Sequence, residues 1–472
     1  MKYQMVSGFE THVELSTATK IFCGCSTKFG AAPNTHCCPV CIGQPGALPV
    51  LNKKVVEYAI RAGLATHCTI NTVTHLDRKN YCYPDLPKAY QISQYDKPLC
   101  EHGYVELESG KRIRITRIHI EEDAGKLVHE RGHTFIDYNR GGVPLIEIVS
   151  EPDISSPQEA REYVEKLQLI MRYIGVSDCR MQEGSLRCDV NISLKREVDT
   201  RPGTRTEIKN MNSLNFIERA MEYEAARQAE ILDGGGKVEQ ATLRYDETTG
   251  ETYVMRTKED AQDYRYFPEP DLPEITIPQS VMDKTAAHMP ELPLQKFRRY
   301  TQELGISEHN ARLIYKYVAV CRYFEKCLEA GASAKNASNL ITGTVFSVLA
   351  TEEEKENFAL PLTEEQFAFI VKCLDEGKIN FTFARQTLLE ILAGRQKFSS
   401  DLFAAAGGGV ADEQLEALCA EAIKSNSAAV EDILSGKLKA MGSLYGYIKR
   451  ASGGRADIKK CEVIIKKLLN IL

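Results

Sequence analysis

The sequence contains no tryptophan and none of the long apolar runs that form membrane-spanning segments. A membrane helix needs about 18 or more consecutive apolar residues, and no stretch of this chain approaches that length. The first residues also lack the basic and apolar regions of a signal peptide. We therefore expect a cytoplasmic protein with no targeting segment and no membrane partner, whereas the missing tryptophan excludes no class of protein.

Neither positive nor negative charge is in large excess. The 59 Lys and Arg residues are balanced by 65 Asp and Glu residues, so the net charge is only −6. This balance excludes the global excess of positive charge that is typical of nucleic-acid-binding domains. One local excess exists in residues 437–472, which contain nine Lys or Arg and two acidic residues. It indicates an RNA-binding surface, although a solvated amphipathic helix would show the same pattern.

The 15 cysteines are spread through a chain of 472 residues, which favours a reducing cytoplasm over a disulfide framework. Four of them form two tight pairs with the spacing by which short loops hold tetrahedral Zn²⁺. The neighbouring Cys37 and His36 leave the identity of the third ligand open. We predict a closed, structural zinc site. Its predicted ligands are Cys23, Cys25, Cys38 and Cys41.

A different metal site is indicated by segment 8–15, in which polar and apolar residues alternate. In a strand, Glu10, His12 and Glu14 project from one face. Carboxylate oxygens and an imidazole nitrogen suit a hard divalent cation such as Mg²⁺. A half-solvated strand would show the same alternation, so the segment alone does not decide between the two interpretations.

A single carboxylate, Glu147, interrupts the apolar strand predicted at residues 144–149. Burying an unpaired carboxylate costs several kcal/mol, so Glu147 requires a metal ion, a cationic partner or a raised pKa. A structural salt bridge with Arg140 or Lys126 would meet this requirement equally well.

The pattern of the chain changes from strands to helices along its length. Segment 184–194 alternates strictly, and a capping box at 156–159 predicts a helix that stops at Gly175. From about residue 294 onward, alternation gives way to helical periodicity. Amphipathic helices are predicted at 310–330 and 364–375.

These motifs together resemble one family, the B subunits of the glutamine-dependent Asp/Glu-tRNA amidotransferases, called GatB. The resemblance spans essentially the whole chain. It implies an α+β fold in which a β-rich cradle domain is followed by a helical domain and a small all-α tail domain. The implied boundaries are 1–292 for the catalytic cradle with its zinc knuckle at 23–41, 293–404 for the helical domain, and 405–472 for a tRNA-binding tail. The segments that carry the resemblance are 8–15, 77–96, 119–126, 144–153, 183–193 and 263–271.

The resemblance also implies an activity, that of a carbon–nitrogen ligase with glutamine as amido-nitrogen donor. Misacylated Glu-tRNA(Gln), Asp-tRNA(Asn) or both would be phosphorylated by ATP on the side-chain carboxylate, and ammonia would then displace the phosphate. The ammonia would come from a partner amidase subunit, GatA, and a small clamp subunit, GatC, would complete a heterotrimer. The implied cofactors are Mg²⁺ at the reaction centre and structural Zn²⁺.

The resemblance assigns roles to six residues of the cradle. His12, Glu122 and Glu147 are expected to hold Mg²⁺. Glu10 is expected beside them, Lys79 would neutralise phosphate, and Asp189 would orient the metal ligands or the substrate.

Two other classes of protein remain as alternatives. A non-catalytic, zinc-containing tRNA-binding protein would leave the acidic row with a structural role only, but it does not explain Glu147 in an apolar strand. A free-standing ATP-dependent ligase acting on a small carboxylate would need neither tRNA nor a partner protein, but it does not explain the basic tail.

Overall fold

The computed structural model describes residues 3–196, 198–257, 263–405, 412–452 and 456–471. The chain forms two compact units, residues 1–292 and 293–472. Strands dominate the first unit and helices the second, so the predicted α+β class is confirmed. The finer boundary at 404/405 stays a prediction, and residues 406–411 next to it lie outside the described ranges, as does Arg455 of the basic tail.

Over its described residues, the first unit has one large mixed sheet and three small ones. Its strands, in chain order, are β1 (Tyr3–Glu14), β2 (Thr69–Ile70), β3 (Val73–Thr74), β4 (Asp77–Asn80), β5 (Tyr90–Ser93), β6 (Cys100–Glu106), β7 (Arg112–Glu122), β8 (Lys126–Glu130), β9 (His133–Asp137), β10 (Pro144–Ser150), β11 (Leu186–Arg196), β12 (Thr206–Lys209), β13 (Ala241–Asp246), β14 (Glu251–Thr257), β15 (Phe267–Pro268) and β16 (Ile275–Thr276). Its helices are α1 (Lys53–Ala65), α2 (Pro157–Tyr173), α3 (Leu214–Asp233) and α4 (Gln279–Ala287).

The large sheet has nine strands in the order β14-β13-β12-β11-β1-β10-β7-β6-β2. Strands β12 and β13 are parallel, and the other neighbours are antiparallel. Strand β1 lies in the middle, between β10 and β11. Because directly opposite residues in antiparallel strands share a face, this register aligns the even-numbered side chains of β1 with the odd-numbered ones of β10 and β11.

The other face of the sheet is apolar and packs against helices. Phe9 and Val13 of β1 belong to a continuous buried core that also contains Tyr163 of α2, whose ring centroid lies 5.7 Å from that of Phe9. Helix α2 begins as predicted, because the Ser156 hydroxyl accepts a hydrogen bond from the backbone N–H of Glu159. The Glu159 carboxylate reaches the backbone N–H of Ser155, one residue before the position that a capping box predicts.

The second unit is helical over its described residues. Residues 364–375 form one helix, as predicted, whereas the predicted helix at 310–330 is interrupted because Tyr317 is extended, with φ −114° and ψ 114°. No helix in the described ranges is both long and apolar enough to cross a membrane. The helices are α5 (Pro293–Arg298), α6 (Glu308–Tyr315), α7 (Val318–Glu329), α8 (Ala334–Gly343), α9 (Glu352–Glu356), α10 (Glu364–Asp375), α11 (Phe381–Leu392), α12 (Ser400–Ala405), α13 (Asp412–Ser425), α14 (Ser427–Leu434), α15 (Met441–Ala451) and α16 (Ile458–Leu468).

The core beneath the sheet generates a stability prediction. Leu167 of α2 is fully buried in it, whereas Glu165 of the same helix is exposed. We expect Leu167→Ala to lower the free energy of unfolding by about 2–5 kcal/mol, because the lost contacts leave a cavity. Glu165→Ala, the matched control, should change it by less than about 0.5 kcal/mol. Urea unfolding curves measure both, and equal midpoints for the two variants would contradict the assigned core.

Candidate active site

His12 of β1, Glu147 of β10 and Glu121 of β7 converge on the polar face of the large sheet. In the strand register, His12 lies directly opposite Glu147, which in turn lies opposite His119 of β7. The Nε2 atom of His12 is 3.3 Å from Oε1 of Glu121 and 3.5 Å from Oε2 of Glu147. One ligand atom from each of His12, Glu121 and Glu147 lies within 4.8 Å of the other two. Two carboxylates and an imidazole at this spacing can share a divalent cation.

The electrostatics of this cluster favour a cation. Burial disfavours the charged imidazolium of His12, but hydrogen bonds and charges from Glu121 and Glu147 outweigh it and raise the pKa of His12 to about 10. Burial alone would raise the pKa of Glu147, yet His119 and His12 hold it well below its usual range. The predicted alternative, a salt bridge of Glu147 with Arg140 or Lys126, is not formed within the described residues. Arg140 pairs with Asp123 at 3.4 Å, and Lys126 is exposed on β8.

His119 and Glu121 are the members of this site that the sequence analysis missed. Nε2 of His119 lies 3.3 Å from Oε2 of Glu147, and the buried Nδ1 has no hydrogen-bond partner in the described ranges. The period-two pattern of β7 was the available signal, because it puts residues 117, 119 and 121 on one face.

Glu122, which the sequence analysis assigned to the metal, lies away from the cluster. Consecutive residues of a strand point to opposite faces, so only one of Glu121 and Glu122 can face His12. The Glu122 carboxylate accepts a hydrogen bond from the backbone N–H of Ile92 at 2.9 Å and pairs with Lys88. Glu121, not Glu122, is the residue of this pair that lies near His12 and Glu147.

Glu10 and Asp189 form a second group on the same face, next to the first. They lie opposite each other in the register of β1 and β11, and with Glu207 of β12 they form a trio of carboxylates within 4.8 Å of one another. Lys209 pairs with Asp189 and with Glu207, the latter at 2.8 Å. Burial, reinforced by the charges of Glu147, Glu207 and Asp189, raises the pKa of Glu10.

Lys79 lies on β4, outside the large sheet. Its Nζ atom is 4.9 Å from the centre of the Tyr264 ring. Burial disfavours the ammonium, but the electrostatic contributions of Glu121, Tyr266, Tyr81 and Glu147 together outweigh this cost, and the pKa of Lys79 is raised. Lys79 is therefore a fixed cation within the field of the His12 cluster.

The four predicted zinc ligands come together on the loop that follows β1. Their Sγ atoms all lie within 4.8 Å of one another, which suits a tetrahedral Zn²⁺ site. The Cys23 thiol donates a hydrogen bond that lowers the pKa of Cys41 to about 4. Cys37 lies outside the group, with its Sγ 3.9 Å from Oδ1 of Asn139. The clustered cysteines are Cys23, Cys25, Cys38 and Cys41.

Comparison with known proteins identifies the family of this chain. Residues 5–283 match the GatB/GatE catalytic domain, and residues 322–469 match the GatB domain. The chain is 49% identical to the B subunit of the aspartyl/glutamyl-tRNA(Asn/Gln) amidotransferase of Thermoanaerobacter sp. (strain X514), over the whole of both chains. It is 48% identical to the corresponding protein of Caldicellulosiruptor saccharolyticus, over 99% of both, and 45% identical to that of Moorella thermoacetica, over 99% of this chain and 100% of the relative. The chain therefore belongs to the GatB family of tRNA-dependent amidotransferase subunits.

Proposed function

We propose that this chain catalyses the ATP-dependent amidation of misacylated Glu-tRNA(Gln), Asp-tRNA(Asn) or both. The observation that carries the proposal is the cluster of His12, Glu121 and Glu147 on the polar face of the central sheet. A carboxylate is a poor acyl donor, and phosphorylation turns one of its oxygens into a leaving group. In the first step that oxygen attacks the γ-phosphorus and ADP leaves; in the second, ammonia attacks the acyl carbon and phosphate leaves.

The residues of the polar face have separate roles in this proposal. His12, Glu121 and Glu147 would hold Mg²⁺, which offsets the repulsion between the substrate carboxylate and the phosphates. Lys79 supplies a fixed positive charge to the transferred phosphoryl group. Glu10 lies on the same face as His12, two residues away on β1, and Asp189 lies opposite Glu10 on β11. In this proposal the two carboxylates orient the substrate next to the metal ligands.

The proposed reaction needs partners. The family name denotes one subunit of a larger enzyme, so we assign the release of ammonia from glutamine to an amidase subunit, GatA, within a heterotrimer completed by a clamp subunit, GatC. The basic tail would contact the tRNA. The zinc site would be structural, because four protein thiolates leave no coordination position for a substrate. The complex would work in the cytoplasm.

The metal assignment predicts the effect of two neighbouring substitutions. In the assembled heterotrimer, Glu121→Gln and His12→Ala should each weaken Mn²⁺ binding and lower the rate of ATP cleavage at least about 100-fold, because each removes a metal ligand. Binding of acyl-tRNA should persist. Electron paramagnetic resonance of bound Mn²⁺ and release of labelled phosphate measure the two effects.

Glu122→Gln is the matched control, since it makes the same chemical change one residue away on the opposite face. It should leave Mn²⁺ affinity within about twofold of the unaltered protein. Loss of Mn²⁺ binding in this variant, with binding retained in Glu121→Gln, would restore the original assignment of Glu122. Acyl-tRNA binding without any ATP cleavage by the unaltered heterotrimer would favour the non-catalytic alternative.

The zinc assignment predicts a contrast between adjacent cysteines. Cys38→Ser should reduce the zinc content from one ion per chain to nearly none and lower the melting temperature, because ligand loss removes binding energy that stabilises the loop. Cys37→Ser, the control, should retain the ion. Elemental analysis of the purified protein measures zinc, and an equal loss in both variants would contradict the ligand set.

The basic tail predicts a salt-dependent contact with tRNA. Lys449 and Arg450 are exposed on α15, and replacing both with Ala should weaken binding of acyl-tRNA and reduce the slope of log affinity against log salt by roughly one to two. Replacing Lys378 and Lys397, which are exposed outside the tail, serves as a charge-matched control. Equal slopes for the two double variants would place the RNA contact elsewhere.

A further inference from the structure

A fully buried lysine lies in the zinc loop, by which we mean residues 15–52, between β1 and α1. Lys20 is 0% exposed, and lysine is almost never buried to this extent unless it is paired. Its ammonium donates a hydrogen bond to the backbone carbonyl of Tyr138 at 3.0 Å. Within the described ranges, the ammonium makes no other hydrogen bond and no ion pair with a carboxylate. Because a buried charge without a partner is costly, Lys20 requires a counter-charge of another kind.

Lys20 lies against the predicted zinc ligands. Its backbone N–H donates to the carbonyl of Cys25 at 2.9 Å. The aliphatic part of its side chain passes beside Gly142, where a Cβ would lie 3.5 Å from Cδ of Lys20 and 3.7 Å from Cβ of Cys41. The side chains of Lys20 and Cys41 therefore flank the same glycine, and both residues line one cavity of about 240 Å³.

An occupied zinc site carries an excess of negative charge. Cysteine binds Zn²⁺ as the thiolate, so four ligands bring four negative charges against the two positive charges of the ion. Cys41 is buried and the other three ligands are half-buried, so solvent screens this excess only in part. Two lysines line the adjoining cavity, and one of them, Lys88, already pairs with Glu122. Lys20 is therefore the lysine of this cavity that is left to balance the thiolates.

We propose that Lys20 supplies the counter-charge of the zinc site and so strengthens its hold on the metal. The inference rests on the zinc assignment in the proposed function and adds to it a residue that is not a ligand. Residues that support metal ligands from behind typically change metal affinity 10–100-fold when they are replaced. Because Tyr138 lies between β9 and β10, the same ammonium also ties the zinc loop to the segment that leads to Glu147.

The test uses the full-length chain, purified with its zinc. Lys20→Met removes the charge and keeps a long, unbranched side chain. Lys28→Met is the matched control, because Lys28 is an exposed lysine of the same loop. Competition with a chromogenic chelator measures zinc affinity. We expect Lys20→Met to weaken zinc binding at least about tenfold, and Lys28→Met to leave it within about twofold of the unaltered chain.

A zinc-free background separates the counter-charge from a purely structural role. The melting temperature is measured for the unaltered chain, for Lys20→Met, for Cys38→Ser and for the double variant, which together form a double-mutant cycle. Lys20→Met should lower the melting temperature of the zinc-bound chain. In the Cys38→Ser background it should leave that temperature unchanged or raise it, because the buried ammonium no longer faces a cluster of thiolates. A lysine that only ties the loop to Tyr138 would lower the melting temperature equally in both backgrounds, and this result would overturn the proposal.

A second variant covers the case in which Lys20→Met does not fold. Lys20→Gln carries no charge but keeps an N–H that can donate to the Tyr138 carbonyl, and it should also weaken zinc binding at least about tenfold. Zinc affinity in Lys20→Gln equal to that of the unaltered chain would overturn the counter-charge and leave the zinc assignment intact. Absence of zinc from the unaltered chain would overturn the zinc assignment and this inference together.

Discussion

The register of β1 between β10 and β11 is the constraint on which the candidate site depends. His12 reaches Glu147 because the two residues are directly opposite, and Glu10 meets Asp189 for the same reason. A slip of one residue would turn every one of these side chains to the other face. The apolar side chains of β1 specify the register, since Phe9 and Val13 must remain buried against the helices. The same strand pairing therefore places the apolar core on one face of the sheet and the candidate site on the other.

The site also concentrates charge where burial is costly. Glu121 is 2% exposed and Glu147 8%, and such carboxylates need compensation for lost hydration. His12 and His119 provide it from neighbouring strands, and Lys79 adds positive charge from β4. Glu122 is compensated separately, on the opposite face, by Lys88 and a backbone N–H. The strand β7 thus carries two buried carboxylates in succession, each with its own set of partners.

Local patterns in the sequence predicted the parts of this structure that depend on local spacing. The α+β class follows from the change in periodicity, the grouping of four cysteines from their paired spacing, and the polar surroundings of Glu147 from one charge in an apolar strand. Glu121 and His119 were missed because their proximity to His12 depends on strand pairing across more than 100 positions. The sequence analysis chose Glu122, whereas the structure groups Glu121 with His12 and Glu147, because the phase of β7 relative to its neighbours is a tertiary property.

The topology of the sheet also determines the order in which this protein can be assembled. β1 leaves the ribosome well before its two neighbours, which span residues 144–150 and 186–196. Both edges of β1 stay open until β10 has been made, and the edge that pairs with β11 stays open for longer. An open edge is a template for pairing with other chains. Such long-range pairing also slows folding. Because one edge of β1 lacks its partner until β11 has been made, we expect the nascent chain to be most prone to association before that point.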